Sequence, residues 1–328
     1  MHIAPEIFSV DQYIASVYCP ARRETIREIL EVVKPTMLGI CHTNGISVDI
    51  PEIRIVNSAT VQAECSTYCL QINEGLIDLC LDSYMPPVEE FIPELDGISV
   101  DPAFLRKLAL SWVIAHEWMH VIKRHNDVIH ATVDHQPDVA ELVEHDADLC
   151  AIAVIYRLIQ NAIPSKTDPM TARKIALFSV FWPLSTIPIE RQDVDHAPMP
   201  LRLYHITTKL AQLTDRFGET PALYDHFEPQ LARTRVLLKF LFELDRPTGC
   251  RVSSNELCMQ IGKILKSRSH MRFYIGWENI CPVVESISGT TSDITKYRPK
   301  GYVAPIFDEE LNLVSGNAQI DKYLTKKK

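Results

Sequence analysis

Apolar positions recur first with a helical period: residues 24–33 place Ile26, Ile29, Leu30, Val32 and Val33 on one side of a short amphipathic helix. The period then changes. Met37–Ile50 carries an Asn44-Gly45 turn signal between apolar runs, which predicts a hairpin. Glu52–Asn57 and Thr67–Asn73 alternate apolar and polar residues and predict strands. Leu76–Leu81 begins a helix, and residues 84–103, with four prolines and several acids, predict a surface loop without regular structure.

Asp101-Pro102 marks a helix start, with Asp as N-cap and Pro at the first helical position. The predicted helix runs over 102–124 and is apolar nearly all round, through Phe104, Leu105, Leu108, Leu110, Trp112, Val113, Ile114, Val121 and Ile122, so it should be buried. His125–Pro137 reads as a polar connection. Helices are expected over 137–160, 171–181, 198–216, 230–244 and 254–267. After Arg272 the periodicity fades, and residues 271–328 read as an irregular C-terminal extension.

The chain has 328 residues, of which 46% are hydrophobic and 23% charged, as in a globular protein. Only 11 are glycine, which favours helix over a turn-rich all-β fold. The fold class expected is α+β, mainly helical. A net charge of −9 without a basic stripe argues against nucleic acid as a partner. Nine scattered cysteines read as buried thiols of a reducing compartment. Neither a signal peptide nor a run long enough to span a membrane is apparent, so a soluble, cytoplasmic protein is expected. Oligomeric state leaves no mark on the sequence.

Residues 116–120 read His-Glu-Trp-Met-His. Residues four apart stack on one helix face, so His116 and His120 can put two imidazoles on one ion. Glu117, one step round, is placed to act as a base toward a metal-activated water. These three polar groups interrupt a buried helix. Buried imidazoles and carboxylates are costly without partners, and one metal ion resolves all three. The following helix carries Glu141, Glu144, His145 and Asp148 on one side. Glu144 is the favoured third ligand, because Asp148 one turn on can accept the Nδ1–H of a ligand histidine. Glu141 is the alternative. Asp146 points to another face. A third histidine six residues after His120 is ruled out, because that position is Asn126.

This constellation resembles the gluzincin-type HExxH zinc metallopeptidases. The run His116-Glu-Trp-Met-His-Val-Ile-Lys-Arg-His125 is similar to the active-site helix of the HtpX-like group, and Asn73-Glu74-Gly75-Leu76-Ile77 to its passage into the preceding helix. His196-Ala-Pro-Met-Pro-Leu-Arg202 resembles the group's downstream segment, and the soluble Lit phage-exclusion peptidase shows the same order of parts. The resemblance covers residues 67–206.

It implies a small N-terminal β-sheet packed on a zincin-like helical core, divided as 1–66 with strands, 67–270 core and 271–328 extension. It further implies one Zn2+ per chain on His116, His120 and Glu144, Glu117 as base and Asp148 as orienter. His196 or Arg202 would stabilise the oxyanion, with Tyr204 a third candidate; a salt bridge at a helix start is the other reading of His196 and Arg202. The activity implied is that of a soluble zinc-dependent endopeptidase acting on a protein or peptide, or on one specific partner as in phage defence or regulation. The substrate would add along Thr67–Asn73 as an edge strand. The alternative is a non-enzymatic metal-stabilised module, with His125 or His145 as a fourth ligand. The chain departs from the resemblance at Trp118 and Met119 before the second histidine, and at Ala197 between histidine and proline.

Overall fold

A computed structural model describes residues 5–43, 51–65, 69–82, 85–95, 100–132, 138–163, 167–186, 197–215, 227–244, 254–267 and 269–289, with 306–307 and 313–315. It is mainly helical, with a small sheet near the N-terminus. Strand β1 (Ile7–Ser9) leads into helix α1 (Val10–Ser16), where Ser9 and Gln12 form a capping box. Helix α2 spans Pro20–Thr43. The expected hairpin over Met37–Ile50 is corrected in its first half: residues 37–43 continue α2, and 44–50 lie outside the described residues. The reason is the buried stripe of Ile26, Ile29, Val33, Met37 and Cys41, which keeps helical spacing straight past Pro35. Val32 stands 53% exposed off that stripe.

Strands β2 (Glu52–Val56), β3 (Ala63–Cys65) and β4 (Cys69–Asn73) complete a four-stranded sheet in the order β1-β2-β4-β3. β2 and β4 run parallel, while β1 and β3 flank them antiparallel. The sheet therefore straddles residue 66. It also corrects the expected docking edge: β4 is paired on both sides, and β3 forms the edge beyond it among the described residues.

β4 passes directly into α3 (Glu74–Asp82) at Gly75. A Cβ there would lie 2.3 Å from the Ala59 carbonyl oxygen, and the Gly75 N–H donates to Ser58 O at 2.9 Å. Only glycine lets the 58–60 backbone cross so closely.

Two short 3-10 turns, Val88–Glu90 and Pro93–Leu95, occupy part of the predicted loop and bury Val88 and Leu95. Helix α4 (Pro102–Ile122) begins as predicted, with Asp101 Oδ1 accepting from the Phe104 N–H at 2.7 Å. It is the central helix, packed against α2, α3, β3 and β4. The predicted polar connection after it is corrected to a helix, α5 (His125–Thr132), whose buried side is His125, Val128 and Thr132. Polar residues on the inner face hid its amphipathicity.

Helix α6 (Val139–Ala162) lies along α4, and α7 (Pro169–Thr186), α8 (Met199–Gln212), α9 (Phe227–Leu244) and α10 (Ser254–Ser267) extend the bundle. The irregular extension is corrected in its first part: Ser269–Ser288 is helix α11, docked on α5 and α6. Its buried Phe273, Trp277, Ile280, Cys281 and Val284 fall at spacings of four, three, one and three. Pro282 and the neighbouring serines masked that period. Ile306–Phe307 (β5) and Leu313–Ser315 (β6) form a separate two-stranded pair. No described helix is long and apolar enough to cross a membrane.

Candidate metal centre

Helices α4 and α6 bring their polar interruptions face to face. His116 Nε2 and His120 Nε2 lie 3.2 Å apart, and the Glu144 carboxylate faces both, with Oε2 3.1 Å from His116 and Oε1 3.3 Å from His120. The two imidazoles are 5% and 7% exposed. These three residues can hold a metal ion. For a tetrahedral ion with ligands at about 2.0–2.1 Å, ligand atoms stand about 3.3–3.4 Å apart. Each of the three separations is close to that spacing. Glu141, the alternative ligand, is paired instead with Arg272 of α11.

Each of the two histidines is backed on its other nitrogen. His116 Nδ1 lies 2.9 Å from Asp148 Oδ1, the predicted orienting contact. Asp148 in turn accepts from Arg202 Nε at 2.7 Å and Nη2 at 2.8 Å. Burial alone would raise the Asp148 carboxyl, but Arg202 and His116 hold it well below the usual carboxylate range. Burial alone would lower His116; the Asp148 and Glu144 carboxylates overcome that and raise it to about 10. The Trp112 ring packs against both partners, 5.7 Å from the His116 centroid and 5.7 Å from the Arg202 guanidinium carbon.

Behind His120 stands a group that the sequence reading did not assemble. His125 Nδ1 is 3.1 Å from His120 Nδ1, and His125 Nε2 is 3.2 Å from Asp146 Oδ2. Asp146 also accepts from Lys123 Nζ at 2.6 Å, and Lys123 Nζ lies 3.2 Å from Cys150 Sγ and 5.9 Å from the Trp277 ring centre. His125 is held at about 4, chiefly by burial and further by the charges of His120 and Lys123. Asp146 stays below the carboxylate range despite burial, through Lys123 and His125. Asp146 does point to a different face from Glu144; that face meets α5. The available signal was His125 itself, a histidine one turn beyond His120 at the head of an unrecognised helix.

The remaining candidates separate clearly. Glu117 sits partly exposed amid buried neighbours on α4, and its charge reaches both Cys65 and Arg202. Cys65, on β3, is pushed up to about 12 by burial and by the charges of Glu117 and Glu144, so the edge strand borders the centre. Arg202 takes up the salt bridge that was the other reading of it. Tyr204 is fully buried, with its ring against His205 and His270. His145 Nε2 meets His205 Nδ1 at 3.2 Å, and His125 stands behind His120, so neither joins His116, His120 and Glu144 as a fourth ligand. His196 lies outside the described residues. A small cavity beside the centre is lined by Glu144, Asp148, Arg202, His205, Leu201 and Phe273, among others. No protein family, no curated protein and no solved structure matches this chain.

Proposed function

We propose that this chain is a zinc-dependent endopeptidase. The observation that carries the reading is the His116–His120–Glu144 cluster, with contacts of 3.1–3.3 Å, and Glu117 beside His116 on α4. Two neutral imidazoles and a carboxylate are a donor set that suits zinc. Zinc, when bound there, acts as a Lewis acid on water and on a carbonyl oxygen. Glu117 takes a proton from the water as its oxygen bonds to the peptide carbon, and returns it to the amine as the C–N bond breaks. Asp148 keeps the His116 proton on Nδ1 so that Nε2 presents a lone pair, and Arg202 fixes Asp148.

The substrate backbone adds to β3, the described edge nearest the centre, with main-chain hydrogen bonds giving orientation. Trp118 and Met119 are buried at 2% and 4%, so they shape the helix packing and not the cleft surface. Recognition of one specific protein fits the reading as well as general peptide cleavage does.

The test is Glu117→Gln on the full chain. Zinc content measured by mass spectrometry should persist, while hydrolysis, followed by N-terminal proteomics of a treated lysate, falls by about 10²–10⁴-fold. Cleavage undiminished in the zinc-loaded variant would remove the assignment.

A further inference from the structure

We propose that His125 is a positioning residue of the metal centre: with Asp146 and Lys123 it forms a hydrogen-bonded chain that fixes the tautomer and ring plane of His120, with the His125 proton on Nε2. The inference rests on the reading of His120 as a ligand through Nε2.

The direction of every bond then follows. A ligating Nε2 presents its lone pair, so the His120 proton is on Nδ1. Among the described residues that N–H faces His125 Nδ1, 3.1 Å away. A nitrogen that accepts carries no proton, so His125 is protonated on Nε2, which faces Asp146 Oδ2 at 3.2 Å. The carboxylate is completed by Lys123 Nζ at 2.6 Å. His125 is 0% exposed and Asp146 1%, so bulk solvent reaches neither. With the other tautomer of His125, two N–H groups would confront each other at 3.1 Å. The centre then has two matched supports. His116 is backed by Asp148 and Arg202, and His120 by His125, Asp146 and Lys123. Both carboxylates flank Glu144 on α6 at spacings of two and four, so one helix supplies a ligand and anchors both imidazoles.

A merely structural role would make Lys123–Asp146 a pin between α4 and α6, with His125 as filler. That role would affect stability and leave the metal unmoved. The experiment uses cobalt(II) alone as the probe, titrated into the full chain and read by its visible absorption bands. Wild type is compared with His125→Leu and His125→Asn. Leucine removes the acceptor, whereas the asparagine Oδ1 can stand where Nδ1 stood.

Cobalt affinity should fall by about 10–100-fold in His125→Leu with altered bands, and return toward wild type in His125→Asn. Wild-type affinity and bands in His125→Leu would overturn the chain while leaving the metal centre intact. Wild type that takes up no cobalt would overturn the metal reading and the chain together. Long-range proton–nitrogen spectra of the zinc-loaded wild type decide the point without a variant. They should show His125 protonated on Nε2, and a proton on its Nδ1 would overturn the proposal.

Discussion

Asp148 Oδ1 stands 2.9 Å from His116 Nδ1, and both groups are almost wholly buried. The carboxylate therefore orients a candidate ligand, His116, from outside the candidate ligand set. Asp148→Ala removes the acceptor for that Nδ1–H and leaves Arg202 facing the ring. Metal affinity, measured by competition with a chromophoric chelator, should drop by about 10–100-fold. Glu144→Ala, which removes one of the three ligands, should lower it further.

Metal uptake should release protons. Asp148 and Glu144 raise His116 to about 10, so in the metal-free chain at pH 7 it holds a proton that a cation must displace. Raising the pH removes that proton, so apparent affinity should climb with pH and level off near the raised value. Calorimetric titrations at pH 7 in buffers of different ionisation enthalpy should show net release of about one proton per ion. An enthalpy independent of buffer would contradict this.

Lys123 and Asp146 are buried at 7% and 1% exposure and hold each other at 2.6 Å. Lys123→Met removes one partner and leaves a carboxylate in the core with His125 alone. Breaking such a pair costs about 3–5 kcal/mol, to be read from the urea midpoint. Asp146→Asn in the Lys123→Met background should recover part of that loss, since the uncompensated charge is then gone.

Gly75→Ala should destabilise through overlap with the Ala59 carbonyl, which lies 2.3 Å from the added carbon. Backbone has to move, because the clash is with main chain, and the expected loss is about 1–3 kcal/mol. Gly39, with nothing within 4 Å of an added Cβ, is the control: Gly39→Ala in the interior of α2 should be neutral or slightly stabilising.

Long apolar stretches placed α4 and α6, and at α4 the Asp101-Pro102 start fixed the first turn. Periodicity failed at α5, where the buried face is partly polar, and at α11, where a proline breaks an apolar face. In α5 the inner positions are His125 and Thr132, and in α11 Pro282 interrupts an otherwise regular stripe. At α2 an Asn-Gly pair outweighed Met37 and Cys41, although both keep the stripe's spacing.

The sequence by itself determined two aligned pairs, His116 with His120 on one helix and Glu144 with Asp148 on another, because residues four apart share a helix face and helical geometry needs nothing else to align each pair. Only the tertiary structure brought the two pairs face to face and decided which groups stand behind the histidines. Arg202 reaches Asp148 from 54 residues away, and Asp146 reaches His125 from another helix. Likewise, the strand that borders the centre is β3 and not β4, because the order of strands in a sheet comes from pairing between distant segments and not from their alternation.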